Sequence, residues 1–181
     1  MYKRQASTLT QQLIKNNVFE AGGETNIIAK VKRKIQEQYL AIIAEKKYNK
    51  EDILTNYLNT INLGKGNLGV EAASKYYFGK SVNELTLSEC AVLAGITKNP
   101  TFLNPVDYPE DNDARRKLIL KKMYQLNYIS DKEYQSALED KVYARIANKT
   151  AKGRKNSVYS YFTDAVITKV VSDLQEQKGY T

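Results

Sequence analysis

The stretch "IAKVKRKIQEQYLAII", residues 28–43, decides the fold class of this chain. Its apolar residues recur at spacings of three and four, which is the period of one face of an α-helix. These residues are Ile28, Val31, Ile35, Tyr39 and Ile42. The pattern predicts an amphipathic helix over residues 28–48, the longest helix of the chain.

Helix signals continue on both sides of this stretch. A Ser/Thr cluster predicts a helix over residues 9–16, and Asn49 can cap a helix in "KEDILTNYLN". Downstream, Gly79 closes "VEAASKYYF", and capping boxes open helices after Thr86 and Ser130. A basic helix in "DARRKLILKKMYQL" and a last amphipathic helix in "YFTDAVITKVVSDLQEQ" complete the series. Because period-two alternation is almost absent, we expect an all-α domain.

Composition narrows the chemistry. The 181 residues carry a formal net charge of +8, with a single Cys and no His. One Cys excludes a disulfide framework and a zinc site, and the lack of His removes Ser-His and Cys-His nucleophile pairs. Acid–base chemistry must therefore use carboxylates, Lys or Tyr. The positive charge favours an anionic partner, and the sequence shows no signal peptide and no bilayer-length apolar run.

A second stripe on the long helix is polar. Lys30, Lys34 and Glu37 stand at i, i+4 and i+7, small Ala41 continues their line, and Arg33 precedes Glu37 by four residues. One interpretation is a cationic cradle for an anion, with a carboxylate at its edge. The alternative is a solvated face with ion pairs.

The segment "STLTQQLIK" repeats this theme nearer the N-terminus. Ser7 and Thr8 would lie at the start of the first helix, where free backbone N–H groups favour an anion. Gln11 and Gln12 share faces with Lys15, and Gln side chains suit sugar hydroxyls and amides. The alternative is a capped surface helix.

Four ordered motifs resemble those of glycosyltransferase family 51, the peptidoglycan glycosyltransferase domain of class A, bifunctional penicillin-binding proteins. They are "ASTLTQQLIKN", "KRKIQEQYLA", "KEDILTNYLN" followed by "GVEAASKYYFGK", and "RRKLIL". The resemblance covers residues 6–140, and four motifs in order make chance agreement implausible. It implies a lysozyme-like helical fold.

The resemblance also implies an activity, the polymerisation of lipid II into glycan strands. The 4-hydroxyl of incoming lipid II would attack the anomeric carbon of the growing chain, with inversion and loss of undecaprenyl pyrophosphate. Such a reaction needs a carboxylate base for the hydroxyl and fixed positive charge at the leaving pyrophosphate. It implies no certain cofactor, and it leaves room for a divalent metal, Mg²⁺ or Mn²⁺, at the pyrophosphate.

Site residues follow from the resemblance position by position. Glu37 matches a family glutamate that supports the reaction from the leaving-group side, and is the catalytic candidate. The substrate and pyrophosphate set comprises Ser7, Thr8, Gln11, Gln12, Lys15, Lys30, Arg33 and Lys34. The set that braces the cleft comprises Tyr57, Asn59, Arg115 and Arg116, the two arginines being structural or in contact with lipid phosphate.

One family motif has no counterpart here. The first motif, Glu-Asp-x-x-Phe with a following His, carries the catalytic base and precedes the Ser-Thr-Gln-Gln motif. We therefore expect an N-terminally truncated domain that has lost both this motif and the membrane anchor upstream. The fragment should not polymerise lipid II at a useful rate, and robust polymer from radiolabelled lipid II would contradict this expectation.

The two ends are expected to lie outside the glycosyltransferase domain. Residues 1–5, "MYKRQ", resemble the translation of a transposon adapter and are expected to be non-native, the alternative being a natural variant start. Residues 141–181 resemble the linker into a transpeptidase domain, whose S-x-x-K and K-T-G motifs are absent. The implied partners are lipid II, the growing glycan, the extracytoplasmic face of the bacterial plasma membrane and that transpeptidase domain, with no nucleic acid.

Two other classes of protein remain as alternatives. A basic helical nucleic-acid-binding module would explain the charge but not the paired Gln or Glu37. A lysozyme-like hydrolase would need a catalytic Glu at the entrance of the cleft. The tyrosines could stack on bases, but helical core spacing predicts instead that Tyr39, Tyr57, Tyr76 and Tyr77 pack inside the protein.

Overall fold

The computed structural model describes residues 7–19 and 26–146. Helices dominate these ranges, which contain no strand beyond one isolated bridge between Asn62 and Leu68. The all-α prediction is therefore confirmed. The chain divides into two units, residues 1–61 and 62–181. The adapter-like start and the last predicted helix lie outside the described residues.

The described residues of the first unit form three helices, each opened by a polar cap. They are α1 (Leu9–Val18), α2 (Ile27–Lys47) and α3 (Lys50–Thr60). Thr8 Oγ1 accepts from the Gln11 N–H at 3.2 Å, and Asn49 Oδ1 accepts from the Asp52 N–H at 2.8 Å. These caps satisfy backbone donors that a helix start leaves free, and they confirm the predicted cap at Asn49. Helix α1 packs against both α2 and α3.

Helix α2 buries the C-terminal part of its polar stripe and exposes its apolar stripe. The buried side chains of α2 are Glu37 and Ala41, which are 1% and 4% exposed. The apolar stripe is 56–72% exposed at Ile28, Val31, Ile35, Tyr39 and Ile42. The prediction that Tyr39 packs inside the protein is therefore wrong, and the reason is that α1 contacts the opposite face of α2.

The second unit is arranged around one apolar helix. Its helices are α4 (Val70–Phe78), α5 (Leu87–Ile96), α6 (Pro109–Gln125) and α7 (Asp131–Glu139), with 3-10 turns at Val82–Glu84 and Val142–Arg145. Helix α5 is buried over most of its surface and contacts α4, α6 and α7. Gly79, with φ of 72°, ends α4 as predicted, and the capping boxes at Thr86 and Ser130 are both present.

Buried polar side chains hold the second unit together. Asn112 Nδ2 donates to the carbonyl oxygens of Val92 and Leu103, and the Tyr143 hydroxyl donates to Asn112 Oδ1 at 2.6 Å. Val142 and Ile146 are also buried. Residues 142–146 were expected to be part of a linker. They pack into the second unit, since two of their apolar side chains are buried there.

Within the described ranges, no helix has both the length and the apolar composition needed to cross a membrane.

We expect acid to destabilise the second unit. Burial favours the neutral form of Glu89, but hydrogen bonds from Lys80, the Thr86 N–H and Arg145 outweigh it and hold its pKa below the ordinary 4.5. The same direction applies to the pKa of Glu71, Asp107, Asp113 and Asp140. A lowered folded-state pKa stabilises the fold above the unfolded-state pKa, and this stability is lost as pH falls through the folded-state pKa.

The midpoint of urea unfolding should therefore be flat between about pH 6 and 8, where no His titrates, and should fall below about pH 5. The expected loss by pH 3 is on the order of 2 kcal/mol. Glu89→Gln is the control, since it should be less stable at pH 7 and should lose less on acidification. An unchanged midpoint at pH 3 would contradict the prediction.

Candidate functional site in the first unit

The site is built on a buried carboxylate between two cations. Lys34 Nζ lies 2.9 Å from Glu37 Oε2, and Arg33 forms an ion pair with Glu37 Oε1. Glu37 is 1% exposed, whereas the side chains of Arg33 and Lys34 are 21% and 36% exposed. Each carboxylate oxygen of Glu37 is thus paired with one cation, and the two cations keep part of their surface exposed to solvent. Such partly exposed cations can hold an anion.

Helix α1 supplies the second wall of the site. Lys34 Nζ donates to Ser7 Oγ at 2.5 Å, which joins α2 to the residue that leads into α1. Burial lowers the pKa of Lys34, and the positive charges of Arg33 and Lys15 lower it further. Three cations from two helices therefore act on the same small volume. Their mutual repulsion makes a bound anion favourable there.

Hydrogen bonds occupy several of the polar groups at the start of α1. Thr8 caps α1 through the Gln11 N–H, so this N–H is no longer free for an anion. Gln12 Nε2 donates to the Ser7 carbonyl oxygen at 3.5 Å, and the Tyr57 hydroxyl donates to Gln12 Oε1 at 3.4 Å. Gln11 Oε1 is buried, and no hydrogen-bond donor reaches it among the described residues. A buried acceptor without a partner costs stability.

The prediction also named Lys30, Asn59, Arg115 and Arg116. Lys30 and Asn59 are exposed. The two arginines of the fifth motif, Arg115 and Arg116, belong to α6 in the second unit. Arg116 is 2% exposed and is hydrogen-bonded inside that unit. Arg115 is half-buried, and its Nε finds no acceptor among the described residues.

Sequence reasoning missed one contact that fixes the geometry. Thr10 is 5% exposed, and its hydroxyl donates to Glu45 Oε1 at 2.7 Å. The bond ties the first turn of α1 to the last turns of α2, about two helical turns beyond Glu37. The only sequence signal was a hydroxyl on a helix, which is uninformative without knowledge of the packing.

Metal ligands do not cluster at this site. Over residues 7–19 and 26–146, no group of three His, Cys, Asp or Glu side chains is placed to bind a metal ion. The positive charge at the site comes from Lys and Arg side chains.

Comparisons with known proteins place this chain in a family. The model of the Transglycosylase family matches residues 2–124, more than half of the chain. Penicillin-binding protein 1A of Clostridium acetobutylicum is 42% identical over 97% of this chain and 22% of its own length. Penicillin-binding protein 1A of Haemophilus influenzae is 40% identical over 97% of this chain and 20% of its own length.

A solved structure agrees with these matches. The crystal structure of penicillin-binding protein 1A from Haemophilus influenzae aligns with a TM-score of 0.51 and 38% identity. The alignment covers 74% of this chain and 18% of the crystallised chain. This chain therefore spans about a fifth of the length of the relatives that it matches. With the four ordered motifs and the family match in agreement, the chain belongs to the transglycosylase family.

Proposed function

We propose that this chain is the part of a peptidoglycan glycosyltransferase that holds the diphosphate of lipid II. The proposal rests on the surroundings of Lys34. Its ammonium group contacts Ser7 and Glu37, and the positive charges of Arg33 and Lys15 lower its pKa in addition to burial. Arg33 and Lys34 would contact phosphate oxygens, and Arg33 could do so through two parallel N–H groups. The match to transglycosylases supports this function over a glycan hydrolase or a nucleic-acid-binding module.

The cations would act mainly as the glycosidic bond breaks. In the proposed reaction, the acceptor 4-hydroxyl oxygen bonds to the anomeric carbon, its proton passes to a carboxylate base, and the bond to the pyrophosphate oxygen breaks. Negative charge then grows on the departing lipid pyrophosphate. Lys15, Arg33 and Lys34 would stabilise this charge, with Lys30 further along α2. Glu37 would keep Arg33 and Lys34 aimed at the diphosphate.

The remaining predicted residues would shape the donor cleft. Ser7 and Thr8 set the start of α1, and Gln11 and Gln12 would offer amide groups to the sugar. Tyr57 braces Gln12 through its hydroxyl. In the longer protein, we propose that this reaction takes place at the extracytoplasmic face of the bacterial plasma membrane. The growing glycan and a transpeptidase domain would be its partners there.

We expect Lys34→Gln to weaken binding of lipid II by about 10-fold to 100-fold, since one hydrogen-bonded charge at a phosphate contributes about 1.5–3 kcal/mol. Binding is measured by fluorescence anisotropy of labelled lipid II in detergent micelles. Lys46→Gln removes an exposed charge from the same helix and is the matched control, with affinity expected to change less than about twofold.

A second measurement separates diphosphate recognition from binding to lipid. Soluble pyrophosphate should compete with labelled lipid II on the unmodified chain and should compete poorly on Lys34→Gln, which removes one of the charges proposed to hold the diphosphate. Equal losses in Lys34→Gln and Lys46→Gln, or a lack of competition by pyrophosphate, would refute the proposed function.

A further inference from the structure

A buried hydroxyl lies at the contact between α1 and α2. Thr10 is 5% exposed, and its Oγ1 donates to Glu45 Oε1 at 2.7 Å. Glu45 itself is exposed. A buried hydroxyl needs a hydrogen-bond partner, so a shift of α1 that separates these two groups would leave the hydroxyl unsatisfied. The bond therefore favours one position of α1 on α2.

The same two helices supply the cations of the candidate site. Ser7 leads into α1 and accepts a hydrogen bond from Lys34 Nζ on α2. Lys15 belongs to α1, and its positive charge acts on Lys34. The geometry of the site therefore depends on how α1 lies on α2.

Two separate hydrogen bonds fix this arrangement. Their partners on α2, Lys34 and Glu45, are eleven residues apart, which is about 16 Å along a helix axis. A single contact would allow α1 to rotate about that point, whereas two contacts at this spacing also fix its direction. Helix α1 has ten residues, and a helix this short depends on such tertiary contacts.

Repulsion between cations makes such a restraint necessary. The charge of Lys15 lowers the pKa of Lys34, so the two side chains are close enough to repel each other. Without a bound anion, this repulsion favours separation of α1 from α2 at the site. The bond between Thr10 and Glu45 opposes the separation from a point outside the site, so it does not occupy the cations.

We propose that Thr10 is a positioning residue for the diphosphate site, which acts through Glu45 and holds Ser7 and Lys15 in place around Lys34. The inference rests on the proposed function, since it takes the diphosphate as the ligand of Lys34. A purely stabilising role fits less well. Because Glu45 is exposed, water can replace Thr10 as its partner, and the bond adds little to the free energy of unfolding.

Binding of labelled lipid II to Thr10→Val tests the proposal, because valine keeps the shape of threonine and removes the hydroxyl. We expect the affinity per folded molecule to fall by about fivefold, as for loss of one hydrogen bond of ordinary strength. Thr10→Ser keeps the hydroxyl and should bind within about twofold of the unmodified chain. Urea unfolding gives the folded fraction of each variant.

Glu45 gives a reciprocal test that a stabilising role would not pass. Glu45→Leu removes the acceptor and should weaken binding as Thr10→Val does, although loss of a negative charge by itself favours an anion. Glu45→Gln keeps an acceptor oxygen and should bind like the unmodified chain. Tighter binding by Glu45→Leu would overturn the positioning role.

Thr60→Val is the matched control, because the Thr60 hydroxyl accepts from Asn17 Nδ2 at 3.2 Å near the far end of α1. This variant loosens α1 away from the site, and its affinity should change by less than about twofold. Equal losses in Thr60→Val and Thr10→Val would show that any loosening of α1 weakens binding, and would overturn a specific role for Thr10.

A double-mutant cycle distinguishes failure of this inference from failure of the proposed function. The losses of Thr10→Val and Lys34→Gln should be less than additive, because Thr10 acts through the surroundings of Lys34. Fully additive losses would overturn the inference, as would normal affinity in Thr10→Val when Lys34→Gln binds weakly. Normal affinity in Lys34→Gln would instead refute the proposed function.

Discussion

Replacing Arg116 with methionine is expected to lower the free energy of unfolding by about 2–4 kcal/mol, because it removes a buried, hydrogen-bonded charge whose ion-pair partner Asp113 is partly exposed. Arg116 Nε donates to Asp113 Oδ1 at 2.8 Å, and Nη2 lies 2.7 Å from the same oxygen in an ion pair. Its Nη1 donates to Ser88 Oγ and to the Ala137 carbonyl oxygen at 2.9 and 2.6 Å. Methionine fills the space but leaves the Ser88 hydroxyl and the Ala137 carbonyl oxygen, both on buried residues, without this donor.

The neighbouring lysine provides the control for this substitution. Lys117 Nζ lies 2.7 Å from Asp113 Oδ2, but the Lys117 side chain is 56% exposed. Lys117→Met should therefore cost about 0.5 kcal/mol or less, as exposed ion pairs do. Urea unfolding at pH 7 measures both variants. If the two variants were equally destabilised, the loss would come from removing positive charge beside Asp113 and not from the buried network.

The same contacts bear on the fifth motif. The sequence left two roles for its arginines, a structural one and contact with lipid phosphate. Three of the five N–H groups of Arg116 donate hydrogen bonds inside the second unit, and Nη2 is ion-paired with Asp113 there. We therefore expect lipid II affinity per folded molecule to be unchanged in Arg116→Met. Arg115 is half-buried, and contact with lipid phosphate stays a prediction for this residue.

Local signals predicted the helices because caps and turns are encoded by neighbouring residues. Asn49, Thr86 and Ser130 each accept from the backbone N–H of the third residue of the helix that follows. Gly79 ends α4 because it adopts a positive φ without steric cost. None of these features requires knowledge of what the helix packs against.

Packing partners could not be predicted in the same way. Helix α2 has two stripes, and periodicity alone favours burial of the aliphatic one at Ile28, Ile35 and Ile42. The structure buries Glu37 and Ala41 instead, because α1 packs on that side. A polar stripe becomes the inner face when its charges satisfy one another and its last residue is small enough for close packing. The pattern cannot show this without the position of α1.

The contacts of the candidate site are also of two kinds, those within one helix and those between distant parts of the chain. The pairs that Glu37 forms with Arg33 and Lys34 are spaced four and three residues apart, and helical geometry alone brings them together. The contacts of Lys34 with Ser7 and of Thr10 with Glu45 span 27 and 35 residues. The family resemblance grouped Ser7 with Lys34, but Thr10 and Glu45 became visible only in the folded structure.

Glu37→Gln is expected to lower the free energy of unfolding by about 2–4 kcal/mol, because it removes the counter-charge of two cations at a buried position. Arg33 and Lys34 are partly exposed, so solvent recovers some of the loss and keeps it below that of a fully buried triad. Urea unfolding measures this change. Glu45→Gln makes the same charge change on the same helix, and its amide oxygen can still accept from Thr10, so a loss of about 1 kcal/mol or less is expected.

Binding of lipid II to Glu37→Gln then separates two roles of this carboxylate. If Glu37 merely offset positive charge, its removal would strengthen binding of a diphosphate, since the site gains one unit of charge. If Glu37 holds Arg33 and Lys34 in position, the cations lose their geometry and binding weakens despite the added charge. We expect the second result, a loss of about tenfold at temperatures where the variant is folded, with Glu45→Gln unchanged. Tighter binding by Glu37→Gln would show that the carboxylate limits anion affinity and does not organise the site.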